Sequence, residues 1–480
     1  MNDMILILNS SDEFSAEVAR SLRAEQIYCV IVPECTTAQE IGRMAPRGVI
    51  LCGEADAAQE SEIDETVARL GIPVLAIGHT AHALLACLGG TSAGEALCER
   101  KAMVEYGRSA LFTGISGGER LLKSAKTLML PTGVEQTAWA GGCTIAFEDA
   151  EKKLYGVQFE LERNDLEGST MLMNFARDIC GCSGWWSLDA ALEKAQDMLC
   201  EAAARGDHAV CAVSGGVDST LCALLAHKAF GERMTAIFVD TGLMREGEAD
   251  GVQALFEGLG IPLLRVDYSG EILSMLAHKR GMEEKREVVV SCMYQEMLRQ
   301  SAAIAGGKTL VLGTNYSDFL SSGSGAAMWR ASGMTVVEPL MELFKDEVRA
   351  IARRLNMSEE LVGRKPFPAL GLGARIVGEV TAQRLHAMRT AEGIFSDEIR
   401  QAGLDKRLYK YFPVLIGGEN LGSEMLVLRA VMLSGSQLMP ARLPYDLVER
   451  AVQRILGELP GIVRVLYDQT PTALASESFS

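Results

Sequence analysis

Between Ala209 and Thr220 the chain reads A-V-C-A-V-S-G-G-V-D-S-T, and these residue types in this order can hold a phosphate. A β-branched apolar run stops at Ser214, two glycines follow, and Leu221, Leu224 and Leu225 mark a helix that starts at once. Strand, small-residue loop and helix N-terminus together set free amide groups and the positive end of a helix dipole against an anion. Gly215 and Gly216 let the backbone come close, Val217 opens the helix, and Ser214, Ser219 and Thr220 add hydroxyl donors. Asp218 suits a magnesium ion rather than the phosphate itself. No G-K-[ST] lysine follows, so this is not a Walker-type loop. An ordinary strand–turn–helix corner would need the glycines but not the hydroxyls and the carboxylate.

The elements that must position this loop are short apolar runs alternating with helical patterns. Thr235–Asp240, Leu263–Asp267 and Thr309–Gly313 read as strands after it. Met4–Leu8, Tyr28–Val32, Gly48–Cys52 and Pro73–Ile77 read as strands in an earlier group, with helices over Phe14–Ala24 and Glu62–Leu70. Strands separated by helices predict two α/β, doubly wound parallel sheets, whose sites lie beyond the strand C-termini. The text between 127 and 159 is choppier, and a helix around Met171–Ile179 leads to a hinge at Gly181-Cys182-Ser183-Gly184.

At 480 residues the chain has room for about three domains. A net charge of −17 argues against a nucleic-acid surface as its main business. All twelve cysteines precede Met293, without paired C-x-x-C spacing, which predicts reduced thiols and a cytoplasmic protein. No apolar run approaches membrane-spanning length, and the first residues lack a leader pattern, so no membrane partner is expected.

Gly71-Ile-Pro-Val-Leu-Ala-Ile-Gly-His, Leu88-Gly-Gly and Tyr155-Gly-Val-Gln-Phe resemble the landmarks of class I glutamine amidotransferase domains. That resemblance implies a cysteine nucleophile on the elbow after Ile77, and a histidine and glutamate just after the Gln-Phe pair. Here the elbow residue is Gly78, the histidine position holds Glu160, and only the carboxylate, Glu162, remains. Glutamine hydrolysis needs a thiolate and a base to make it, so an inactive glutaminase is expected. Cys87 sits about 13 Å down the next helix and cannot substitute. Cys52 ends a neighbouring strand but would lack an imidazole partner, and His79 and His82 could form a metal pair or serve as surface and capping residues.

S-G-G-V-D-S-T, Phe238-Val-Asp-Thr-Gly-Leu-Met-Arg245, Gly313-Thr-Asn-Tyr-Ser-Asp318 and Glu342-Leu-Phe-Lys-Asp-Glu-Val-Arg349 resemble the ATP pyrophosphatase domain of the GMP synthase family. Asp178-Ile-Cys-Gly-Cys-Ser-Gly resembles that family's domain junction. Arg364-Lys-Pro-Phe-Pro, Leu428-Arg-Ala-Val, Ala441-Arg-Leu-Pro-Tyr-Asp446 and Val463-Arg-Val-Leu-Tyr-Asp468 resemble its dimerisation domain. The resemblance implies an amidotransferase-like domain over 1–183, a PP-loop ATP pyrophosphatase over 184–375 and a small α+β dimerisation domain over 376–480. It further implies ATP phosphates on Ser214–Thr220, adenine near the backbone of Val239, magnesium on Asp218 and phosphate neutralisation by Lys345. The implied reaction adenylates the carbonyl of xanthosine monophosphate (XMP), and ammonia then displaces AMP in a homodimeric enzyme.

The acceptor contacts depart from the family. Gly-Pro-Gly is replaced by Ala369-Leu370-Gly371, Phe319–Thr335 is shorter and free of histidine, and Ile416–Gly422 is shortened. Thr472 and Ser478 replace the lysine and glutamate of the family's closing tail. Three alternatives follow: the same chemistry on another acceptor, a non-catalytic ATP-binding paralogue, and a tRNA-thiolating pyrophosphatase, against which the acidic balance counts.

Overall fold

In the computed structural model the described residues are 3–9, 12–53, 65–97, 100–122, 125–159, 165–304, 306–322, 326–365, 367, 370–417, 424–434 and 437–473. They form two compact units, Met1–Ala191 and Leu192–Ser480. No helix among them is long and apolar enough to cross a membrane.

The first unit is built on a nine-stranded sheet. Its parallel part contains β1 (Ile5–Asn9), β2 (Cys29–Pro33), β3 (Gly48–Gly53) and β4 (Val74–Gly78), in the order β2-β1-β3-β4 and followed by Leu154–Val157, with α1 (Asp12–Ala24) between β1 and β2 in the chain. Ile5, Leu6, Ile7 and Leu8 are all buried, so the apolar run is continuous rather than alternating, as a parallel sheet covered on both faces requires. The remaining strands are antiparallel and extend this sheet. The described part of the helix expected over Glu62–Leu70 is a five-residue 3₁₀ turn, Glu65–Arg69, which stops short of Gly71 and Pro73. The helix expected over Met171–Ile179 is α-helical only to Met173 and continues as a π-helical turn, Asn174–Ile179.

The second unit holds two sheets. A five-stranded parallel sheet comprises β5 (His208–Ala212), β6 (Met234–Asp240), β7 (Leu263–Asp267), β8 (Gly307–Val311) and β9 (Thr335–Val337). Its order is β7-β6-β5-β8-β9, which reverses at β5, the position beside which ligands sit in such sheets. The other sheet is formed by β10 (Lys410–Ile416), β11 (Glu424–Ser434), β12 (Gln437–Pro440), β13 (Ile462–Asp468) and the short β14 (Thr472–Ala473). One apolar core runs from Leu243, Ile272 and Val289 beside the parallel sheet to Phe395, Leu428 and Ile455 beside the C-terminal one. That shared core makes the two sheets a single compact unit.

A buried ion pair locks the C-terminal layer. Arg384 bonds Glu424 and also donates to the carbonyl oxygens of Val377 (2.9 Å) and Glu379. Glu424 is fully buried, and its Oε2 has no hydrogen-bond partner among the described residues. Arg384→Met is therefore expected to cost about 3–5 kcal/mol, because it strands a buried carboxylate, and R384M/E424L to recover most of that loss. Urea unfolding of both variants checks this.

Candidate active site

The phosphate loop joins β5 to the first helix of the site, α2 (Val217–Phe230), whose N-cap, Gly216, offers no side-chain cap. The first amides of α2 therefore face outward without a side-chain acceptor, the condition for an anion site. The hydroxyls shape the loop from within. Ser219 Oγ accepts from the amide of Ser214 at 3.1 Å and lies 3.1 Å from Ser214 Oγ, while Thr220 Oγ1 donates to the Gly216 carbonyl at 2.7 Å. Gly215 has φ +76°, and a Cβ there would lie 2.3 Å from Val252, so no other residue fits this turn.

Arg364 ties the loop down. It donates to the Gly215 carbonyl at 2.9 Å and pairs with Glu248 at the start of α3 (Glu248–Leu259). The next residue, Lys365, donates to the carbonyl oxygens of Asp405 (2.6 Å) and Leu408 (3.0 Å). Two consecutive cations thus connect the phosphate loop to the turn that leads into β10.

Asp218 stands in the first turn of α2. Asn315 Nδ2 donates to its Oδ2 at 3.3 Å, and Lys345 Nζ lies 3.8 Å from the same oxygen. Its Oδ1 is buried and has no hydrogen-bond partner among the described residues. Burial holds the carboxyl above its ordinary range. Lys345 opposes the rise, Asp318 adds to it, and Arg349 and Asn315 oppose it. An orphaned carboxylate oxygen beside an anion-binding loop fits a magnesium ion, which takes few protein ligands and completes its shell with phosphate and water.

Lys345 opens α4 (Lys345–Arg354), and Arg349 follows one turn later on the same helix. Val239 lies near the end of β6. Parallel strands direct the N–H and C=O of one residue to one side, and the Ile237 carbonyl accepts from Val213 at 3.0 Å. Two residues on, the Val239 backbone faces the same side, beyond the last rung of β5 at Ala212.

A cavity of about 1230 Å³, lined by Lys345 and Arg364, which contact the loop, extends to the C-terminal sheet. Its lining carries eleven lysines and arginines against three carboxylates, an inversion of charge in a chain of net −17. Arg245 (2.9 Å) and Arg375 (2.8 Å) share Glu392 and flank the ring of Phe367, which lies 4.2 Å from Arg245. Burial, with Arg375 and Lys345 nearby, pushes the Lys410 amine down to about 8. Sequence reasoning singled out Lys345 but missed Arg349, Arg364 and Lys410, which only the tertiary fold brings to the loop.

In the first unit, Gly78 ends β4 with φ +72° and leads through His79 into the helix Thr80–Cys87. This is the sharp strand-to-helix turn of a nucleophile elbow, with glycine where the side chain would stand. His79 Nδ1 lies 2.6 Å from the Gly53 carbonyl, so that ring is engaged by backbone. No cluster of three or more metal-ligating side chains occurs among the described residues. Cys52 is buried, which pushes its thiol far up and away from thiolate chemistry. Glu160, Glu162 and Ser478 lie outside the described residues, and Thr472 pairs with Leu438 in an edge strand.

Residues 192–378 match the NAD synthase family model. Proteins named GMP synthase [glutamine-hydrolyzing] match almost end to end. That of Lactobacillus delbrueckii subsp. bulgaricus is 34% identical over 505 residues, covering 98% of this chain and 96% of the relative. The chain belongs to the GMP synthase family. Relatives from Acetivibrio thermocellus (35% identical, 98% of each chain) and Bacillus cytotoxicus (33%, 98% of this chain and 97% of the relative) agree. Membership makes the chain an ATP-dependent amidoligase of the PP-loop type.

Asp218→Asn tests the site. The folded pKa lies above the unfolded one, so folding favours the neutral form, and that stability is lost as pH rises through the folded value. The variant is expected to melt no lower than wild type at pH 7, yet to lose at least ~100-fold in ATP-dependent turnover. Calorimetry and AMP release measure the two effects.

Proposed function

We propose that this protein adenylates the carbonyl of XMP with release of pyrophosphate and then aminates it with ammonia that its own first unit does not make. The observation that carries this reading is the Asp218 carboxylate in the uncapped first turn of α2, with one oxygen buried and unpartnered among the described residues and the other beside Lys345, which also lines the basic cavity.

In this reading Ser214–Thr220 hold the ATP phosphates and the Val239 backbone meets the adenine. The acceptor's phosphate lies toward Arg245, Arg375 and Lys410. The carbonyl oxygen attacks the α-phosphorus, and the bond from that phosphorus to the bridging oxygen breaks, so pyrophosphate leaves with both electrons. Lys345 lies where the departing charge gathers, and a cation there lowers the barrier. A magnesium ion, held by Asp218 and the phosphates, would neutralise the same charge. Ammonia then attacks the activated carbon, AMP leaves with the former carbonyl oxygen, and the excess proton passes to solvent.

The lost glutaminase rests on Gly78, which keeps the elbow and removes its thiol. The divisions 1–183, 184–375 and 376–480 are carried as the domains of this reading. The homodimer rests on the C-terminal sheet and its flank, where Met432, Leu433, Val463 and Leu466 are exposed apolar side chains. The same chemistry on another acceptor is the second reading, favoured by Ala369-Leu370 and the altered tail.

Purified protein with ATP, Mg²⁺, XMP and ammonium is expected to release AMP and pyrophosphate one for one with GMP, whereas glutamine in place of ammonium yields nothing. GMP formation from glutamine by the lone protein would overturn the lost glutaminase. Pyrophosphate release with another nucleotide but not with XMP would favour the second reading.

A further inference from the structure

The cavity is larger than one nucleotide phosphate needs, and its cations are arranged by element. Lys345, Arg349 and Arg353 recur at four-residue intervals on α4, all three line the cavity, and successive members are displaced about 6 Å along the helix. The first member stands at Asp218. The second also acts on Asp218, and its Nε is buried with no hydrogen-bond partner among the described residues, a costly state for a guanidinium unless an anion joins it. The third is held by Glu359, which accepts from its Nε at 2.9 Å and leaves the outer nitrogens for another partner. Across the cavity Lys410 is half-buried beside Arg375, so the opposite wall supplies cations as well.

We propose that Arg349 and Arg353 form a second anion station that takes inorganic pyrophosphate as it leaves the phosphate loop. The inference rests on the reading that pyrophosphate is a product of this site. Its two linked phosphoryl groups can engage neighbouring steps of the ladder at once, which a single orthophosphate cannot do. Charge-assisted, bidentate contacts from arginine suit such a group. The ladder leads away from Asp218, so pyrophosphate drawn along it leaves the α-phosphorus and cannot readily reverse the adenylation.

Calorimetric titration of the full chain with inorganic pyrophosphate tests the station directly. Arg353→Gln is the chief variant, since it removes only a surface partner of Glu359; Arg349→Gln is the second, and a melting curve verifies that each is folded. R353Q is expected to bind pyrophosphate about tenfold more weakly while its ATP affinity shifts less than about twofold, and Arg353→Lys to recover part of the loss. Unchanged pyrophosphate affinity in folded R353Q, an equal loss for ATP, or orthophosphate binding as tightly as pyrophosphate in wild type would each overturn the proposal. If no acceptor supports adenylation but R353Q still loses pyrophosphate, the functional reading fails and the station stands. If adenylation occurs and R353Q binds pyrophosphate like wild type, the station alone fails.

Discussion

A carboxylate held out of water at the N-terminus of a helix is the constraint around which the second unit is arranged. Asp218 keeps one oxygen near Asn315 and Lys345 and leaves the other without a partner among the described residues. Such an atom costs free energy in the unliganded protein, and its cost falls when a cation and a phosphate arrive together. The surrounding structure maintains this arrangement. The turn after β8 supplies Asn315, α4 supplies Lys345 and Arg349, and the loop leaves the amides of α2 uncapped. In the proposed reaction this is where the charge of the departing pyrophosphate would be neutralised.

The loop is also connected mechanically to the turn that leads into the C-terminal sheet. Arg364 bonds the Gly215 carbonyl while Lys365 bonds the turn at Asp405 and Leu408. A shift in the C-terminal sheet would therefore be felt at the phosphate loop through two adjacent residues. The common apolar core from Leu243 to Ile455 makes the connection stiff. In the first unit the strand-to-helix turn after β4 is made by Gly78 at φ +72°.

Much of this was legible in the sequence, and the reasons differ by element. β1 to β4 were readable because a parallel sheet buried on both faces writes unbroken apolar runs; each begins or ends within a residue of its expected limit. The phosphate loop was readable because its glycines, hydroxyls and carboxylate are contiguous. The π-helical turn at Asn174–Ile179 was not, since a shift in hydrogen-bond register leaves residue types unchanged. On spacing alone Lys345 reads as a solvated charge in L-F-K-D-E-V-R, and only the placement of α4 beside α2 brings it to Asp218. Arg364, Arg375 and Lys410 lie more than 140 residues from Asp218, so no local pattern could join them to it. His79 reads from sequence as a metal ligand or a capping residue, and its contact with the Gly53 carbonyl comes from a strand 26 residues away, which no local pattern shows.

The central claim is that the acceptor oxygen, not water, attacks the α-phosphorus of ATP at Ser214–Thr220. The most direct measurement uses XMP carrying ¹⁸O at its C2 carbonyl, with ATP, Mg²⁺ and ammonium, and reads the products by mass spectrometry. The account predicts one ¹⁸O in each AMP and none in pyrophosphate. Turnover that leaves AMP unlabelled would contradict it.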